Sequence, residues 1–304
     1  DLSVAGAGGS AGSRWPLDRA RLAELLGLSG VVPHVKDAMW QWDPYVDVLA
    51  AAVTTATHQS ELAQDLEILA SREFGIATLA DEHSRASALM PQKKNPYALA
   101  VVRATAGTAA GDLTGVLVAL HTGSARTDHF HVLNTVVPRA MEEVIASTRL
   151  MAAVVDRMTL DATRAGEAAR RGFITAADLS DVLAQDAGLD YRTAHHVVGR
   201  AVKMLVDAGQ DESALTPALL AEAARASDDI DLDVDEALIA RALDPAGAAD
   251  ARLQQGSSAP GETEAMVAAC RDVMDDARSW SDAAGHRASG AHEALRARAR
   301  DLTG

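Results

Sequence analysis

Reactive and anion-binding side chains crowd together at one place in the chain, Ser87-Ala88-Leu89-Met90-Pro91-Gln92-Lys93-Lys94-Asn95-Pro96. Asn95 is a good helix N-cap and Pro96 a good first helical residue, so these positions predict a helix beginning there. The N-terminus of a helix offers free N–H groups and partial positive charge. With Lys93 and Lys94 beside it, the stretch describes a site for a carboxylate or a phosphate. Ser87, six residues before Lys93, adds a hydroxyl to the same segment. On spacing alone, the same residues also read as an ordinary helix start with two solvated lysines.

The pattern Ser-x-x-Met-Pro-x-Lys-x-Asn-Pro resembles the signature loop of the fumarase/aspartase superfamily. The form Met90-Pro91-Gln92-Lys93-Lys94-Asn95-Pro96 is most similar to argininosuccinate lyases. The resemblance extends from the Gly-rich start through Ser71-Arg72-Glu73-Phe74-Gly75 to Thr175-Ala176-Ala177-Asp178-Leu179. It implies an all-α fold, a long-helix bundle followed by a small helical C-terminal domain, and a reaction that needs neither cofactor nor metal. It also implies a catalytic serine at Ser87, which removes a proton from the carbon next to a carboxylate. Lys93 and Asn95, with Gln92 between Pro91 and Lys93, would bind that carboxylate. A serine hydroxyl is a very weak acid, so its alkoxide needs lysine, backbone N–H groups and a helix dipole close by. A mobile loop suits this task because closure excludes water.

Several positions depart from the family pattern. Ala86 and Ala88 flank Ser87 where relatives have Gly and Ser, and Ala100 stands where relatives carry a glutamate that pairs with a catalytic histidine. Argininosuccinate lyases place a tyrosine, a glutamine and a lysine after the second long helix; the matching positions are Thr127, Val132 and Thr135. Arg126 and Thr127 are therefore candidate substrate-binding residues of a different pocket, together with Asp128, His129 and His131. His129-x-His131 is weak as a metal site, lacking a third ligand at suitable spacing. The N-terminal domain and first bundle helices of such lyases have no counterpart. Superfamily sites are assembled from three subunits of a tetramer. The expectation is thus an oligomer through the long helices, completed by a separate chain carrying the N-terminal half.

The elements that must carry these residues follow from apolar spacing. Val46, Leu49, Val53, Ala56, Leu62, Leu66 and Leu69 predict a helix from 44 to about 71, and 97 to about 121 predicts a second. The second is apolar or small on nearly all faces, which predicts burial between subunits. A third spans about 128 to 158, with Pro138 expected to kink it. Shorter helices are predicted at 160–170, 176–186, 191–208, 216–226 and 233–242, a loop at 243–262, and a terminal helix interrupted at Ser289-Gly290. This divides the chain into 1–165, a partial bundle domain with the signature loop at 81–96, and 166–304, a small helical domain. The run Gly6 to Gly12 is not a dinucleotide loop, because no strand precedes it and Trp15-Pro16 rather than a helix follows.

Composition narrows the function classes. Net charge is −15 in 304 residues with no basic cluster beyond the paired lysines, which argues against a nucleic-acid partner. The single cysteine, Cys270, excludes an internal disulfide framework and fits a cytoplasmic protein. No apolar run of membrane-spanning length occurs, so no membrane partner is expected. The function expected is an argininosuccinate lyase-like elimination that cuts a C–N bond in an N-substituted aspartate, a small dicarboxylate-type substrate, and releases fumarate. The alternatives are a non-catalytic assembly subunit, and a lyase or cyclase of the same fold acting on another carboxylated substrate.

Overall fold

The computed structural model describes residues 2–123 and 127–303. It divides into two compact units, Asp1–Leu160 with Asp276–Gly304, and Asp161–Asp275.

The first unit begins with a two-residue strand, β1 (Leu2–Ser3), followed by α1 (Arg19–Leu25), β2 (Gly30–Val31), which pairs in parallel with β1, and α2 (Val35–Trp40). A short strand, β1, does precede the Gly-rich run, contrary to expectation, but it is two residues long and the loop closes on itself well before α1. Gly8 has φ +64°, and a Cβ there would lie 2.7 Å from the Gly12 carbonyl carbon, so a side chain is sterically excluded.

Three long helices follow: α3 (Asp43–Leu69), α4 (Tyr97–Leu120) and α5 (Asp128–Arg157). Each packs against both of the others in three layers. Leu49, Val116, Leu133 and Val137 fill one end, and the alanines Ala52, Ala56, Ala106 and Ala109 fill the middle with Val144. Leu66, Leu99, Val102, Met151 and Val154 fill the end from which the signature loop emerges. Small residues in the middle layer let the backbones approach closely, and full burial of each large aliphatic side chain contributes roughly 1.5–3 kcal/mol. Between helices, Arg103 pairs with Glu67, and Arg139 donates to Asp112 at 2.7 Å.

α5 runs through Pro138 without a break. A proline costs one i→i−4 hydrogen bond, which neighbouring turns and the packed stripe Leu133, Val137, Ala140, Val144 offset. Between α3 and α4 the chain leaves helical structure as β3 (Ala77–Thr78), a 3-10 turn at Asp81–His83, β4 (Arg85–Ala86) and β5 (Lys94–Asn95). β3 pairs antiparallel with β6 (Thr159–Leu160), just after α5, in the register Ala77↔Leu160 and Thr78↔Thr159. That pairing ties the approach to the loop onto the end of the bundle.

The second unit holds α6 (Ala162–Ala169), α7 (Ala176–Asp186), α8 (Tyr191–Asp207), α9 (Pro217–Asp228), α10 (Glu236–Ala242) and α11 (Pro245–Asp250). Five of these six start on a side-chain cap: Asp161, Asp190, Thr216, Asp235 and Asp244 each accept a hydrogen bond from a backbone N–H in the first turn. Their core is built on Leu179, Leu183, Val197, Leu220 and Ile239. Two expectations fail. The loop expected over 243–262 contains α11, which Asp244 caps and Pro245 opens. The last helix, α12 (Pro260–Thr303), continues through Ser289-Gly290, and its residues fall in both units. A single glycine costs about 1 kcal/mol in a helix interior, too little to break one of this length.

Candidate active site

The signature segment folds as a hairpin. β4 and β5 pair antiparallel in the register Arg85↔Asn95 and Ala86↔Lys94. The ladder is extended by Ser87 N–H, which donates to the Lys93 carbonyl at 3.1 Å, and the tip closes where Lys93 N–H donates to the Met90 carbonyl at 3.0 Å. Pro91 takes the second position of that four-residue turn, where its fixed φ fits. Leu89 at the tip is 88% exposed and belongs to no core.

Asn95 does not cap the following helix. α4 starts after Pro96 with no side-chain cap, and Asn95 Nδ2 instead donates to the Arg85 carbonyl at 3.1 Å across the hairpin. The strand conformation imposed by β5 makes this the nearer acceptor and leaves the first-turn N–H groups of α4 without a side-chain partner. Lys94 pairs with Asp81 of the 3-10 turn. The Lys93 side chain makes no hydrogen bond or ion pair among the described residues, and both Lys93 and Gln92 are exposed. Arg85 lies over the Tyr97 ring, its guanidinium carbon 5.2 Å from the centroid.

Ser87 is half-buried, and its Oγ accepts from two backbone N–H groups, Leu89 at 3.2 Å and Met90 at 3.1 Å. Two converging amide donors favour negative charge on that oxygen. Four residues upstream, His83 is 8% exposed with Nδ1 unpartnered, and its Nε2 is 3.9 Å from Glu82. The sequence reading passed over it, because a lone histidine beside two acids reads as surface.

Ser87, Gln92, Lys93 and Asn95 thus share one hairpin. Thr127 does not join them. It precedes α5 and contributes no side-chain cap, while the hairpin leads into the start of α4. The 24 residues of α4 separate the two ends by roughly 36 Å at 1.5 Å per residue. Arg126 lies outside the described residues. Near Thr127, Asp128 accepts from Thr122 Oγ1 at 3.2 Å and His131 is exposed. His129 is fully buried, with neither ring nitrogen bonded, against Trp42 and Phe130 at ring-centroid distances of 4.6 Å each. Its neighbours are those of a core side chain. Among the described residues, no three His, Cys, Asp or Glu side chains group as a metal site, and no helix is long and apolar enough to cross a membrane.

Comparison with known proteins gives this geometry a context. A family profile described as Lyase matches residues 1–111, and one described as Argininosuccinate lyase C-terminal matches residues 173–248. The chain is 33% identical over 301 residues to argininosuccinate lyase of Methanoculleus marisnigri, covering 97% of this chain and 59% of that protein. A variant of EDDS lyase with bound fumarate superposes with a TM-score of 0.88 at 28% identity, covering 99% of this chain and 60% of that one. The 3-carboxy-cis,cis-muconate lactonizing enzyme of Pseudomonas putida shares the fold, with a TM-score of 0.57 at 24% identity, over 74% of this chain and 48% of that one. The chain spans somewhat more than half the length of the relatives it matches, and over that span it belongs to the fumarase/aspartase superfamily as an argininosuccinate lyase-like member.

Proposed function

We propose that the chain supplies the base-bearing loop of a carbon–nitrogen lyase that releases fumarate from an N-substituted aspartate. Ser87 Oγ removes the proton from the carbon next to a carboxylate. The resulting carbanion places a second negative charge on that carboxyl group, and Lys93, Gln92 and the N–H of Asn95 not spent on Arg85 hold it. The C–N electron pair then leaves with the nitrogen, which takes its proton from an acid outside the hairpin. The observation that carries this reading is the pair of amide donors on Ser87 Oγ beside a lysine free of ion pairs. Those are the groups that an alkoxide and a doubly charged carboxylate require.

The same reading calls for assembly from several chains. Thr127, beyond the far end of α4, serves a site whose Ser87 belongs to another copy, and a partner carrying the remaining length of the relatives completes it. The long helices form the contact: α4 exposes Leu117, Val118 and a row of glycines. A second reading, a non-catalytic assembly subunit, draws on Ala100, an exposed methyl at the first turn of α4 where relatives carry a carboxylate.

The test is co-expression of this chain with a chain carrying the N-terminal share of the relatives, followed by fumarate absorbance with a panel of succinyl adducts. Fumarate formation that requires both chains supports the lyase. An assembled complex that converts none of the adducts supports the structural subunit.

A further inference from the structure

The second unit contains a hollow of about 410 Å³ that the elimination chemistry does not use. One wall is a single face of α7. Asp178, Asp181, Val182, Gln185 and Asp186 stand at i, i+3, i+4, i+7 and i+8, the spacing that aligns side chains on one side of a helix. The opposite wall is α10, α11 and the residue after them, and it is made of small groups: Ala242, Gly247, Ala248 and Ala251. Their size is what leaves the space open. Gly247 has its own constraint, since a Cβ there would come 3.1 Å from the Asp244 carboxylate that caps α11.

The charges around the hollow are arranged unevenly. Arg252 donates to Asp178 at 3.1 and 3.3 Å and to Ser258 Oγ at 3.3 Å. At the other end of the α7 face, Arg241 pairs with Asp186. The two anchored carboxylates are eight residues apart, or about 12 Å along the helix. Between them the exposed side chains of Asp181 and Gln185 have no hydrogen-bond or ion-pair partner among the described residues. Three carboxylates against two guanidiniums leave one negative charge, placed mid-wall. Each arginine side chain is half exposed or more, and its guanidinium has N–H groups beyond those its aspartate accepts.

We propose that this hollow binds a free aliphatic or basic amino acid. Its ammonium group seats on Asp181, its carboxylate accepts from Arg241 or Arg252, and its side chain lies over Val182, Ala248 and Ala251. None of the residues lining the hollow belongs to the hairpin that carries Ser87.

Titration calorimetry on the purified full chain tests the proposal, with L-lysine, L-arginine and L-leucine as probes and n-butylamine and butyrate as half-ligands. At least one amino acid binds one to one and more tightly than n-butylamine, and butyrate binds weakest. Asp181→Asn weakens binding about tenfold or more, the scale of one charge-assisted hydrogen bond. Ala251→Leu, an exposed position where the larger side chain only fills the hollow, weakens it comparably, and both variants keep the parent melting temperature. No binding by any of the three at millimolar concentration overturns the proposal. So does binding unchanged by Asp181→Asn, or butyrate binding more tightly than n-butylamine.

Discussion

Gly107, Gly111 and Gly115 recur every fourth residue along one face of α4, and none has a backbone conformation that requires glycine. A Cβ added at any of them meets nothing within 4 Å inside the chain. Each costs about 1 kcal/mol relative to alanine in a helix interior, so the three together cost about 3 kcal/mol. Within one chain nothing offsets that cost. Close approach of a second helix does, because glycine lets backbones come nearer than alanine allows. The same face carries Val118, 69% exposed. The triple variant Gly107→Ala/Gly111→Ala/Gly115→Ala should therefore have opposite effects on folding and on assembly. The isolated chain gains about 3 kcal/mol, or roughly 6–12 °C in melting temperature for a unit of this size. Sedimentation velocity should show the assembly dissociating at concentrations where the parent chain stays associated. A parent chain that sediments as a monomer, or a triple variant that associates as tightly as the parent, refutes burial of this face between subunits.

Three further outcomes follow from individual contacts. Leu220→Ala, at a fully buried position in the second unit, should cost about 2–5 kcal/mol in urea unfolding through the cavity it leaves. Asn95→Ala removes the bond to the Arg85 carbonyl and should speed hydrogen exchange at the Ser87 and Lys93 amides of the hairpin, while the core amides of α4 keep their protection. Asp190 caps α8, and its pKa is held below the ordinary carboxylate value, chiefly by the hydrogen bond from Thr193 Oγ1 and also by the Thr193 N–H. A lowered folded-state pKa contributes stability that is present above the unfolded carboxylate pKa and lost as pH falls through the folded one. The deficit of Asp190→Ala in thermal unfolding should thus be constant near neutral pH and shrink on acidification below the ordinary carboxylate range.

The scaffold was legible because its residues obey one period. The stripes in α3, α4 and α5 repeat at three and four residues, and the caps at Asp161, Asp190 and Thr216 stand where their helices begin. The failures have local causes. α11 is six residues long, too short for a period to show, and its only signals are Asp244 and Pro245. β1 and β2 are two residues each and pair residues 28 positions apart, a contact that no local pattern encodes. At the candidate site the residue types were legible and their geometry was not. Asn95 looks like a cap in isolation, but the two-residue strand it occupies turns its side chain onto Arg85. The split of the lysines, Lys94 taken by Asp81 and Lys93 left free, depends on a 3-10 turn that the sequence did not announce.

The role of Ser87 is tested most directly by fumarate release from the assembled enzyme, compared between the parent and Ser87→Ala at saturating substrate. Loss of a positioned base lowers the turnover rate by about 10²–10⁴-fold. A drop on that scale, with substrate binding retained, is the result expected from two amide donors focused on Ser87 Oγ. Activity within a few-fold of the parent contradicts it and moves the base elsewhere.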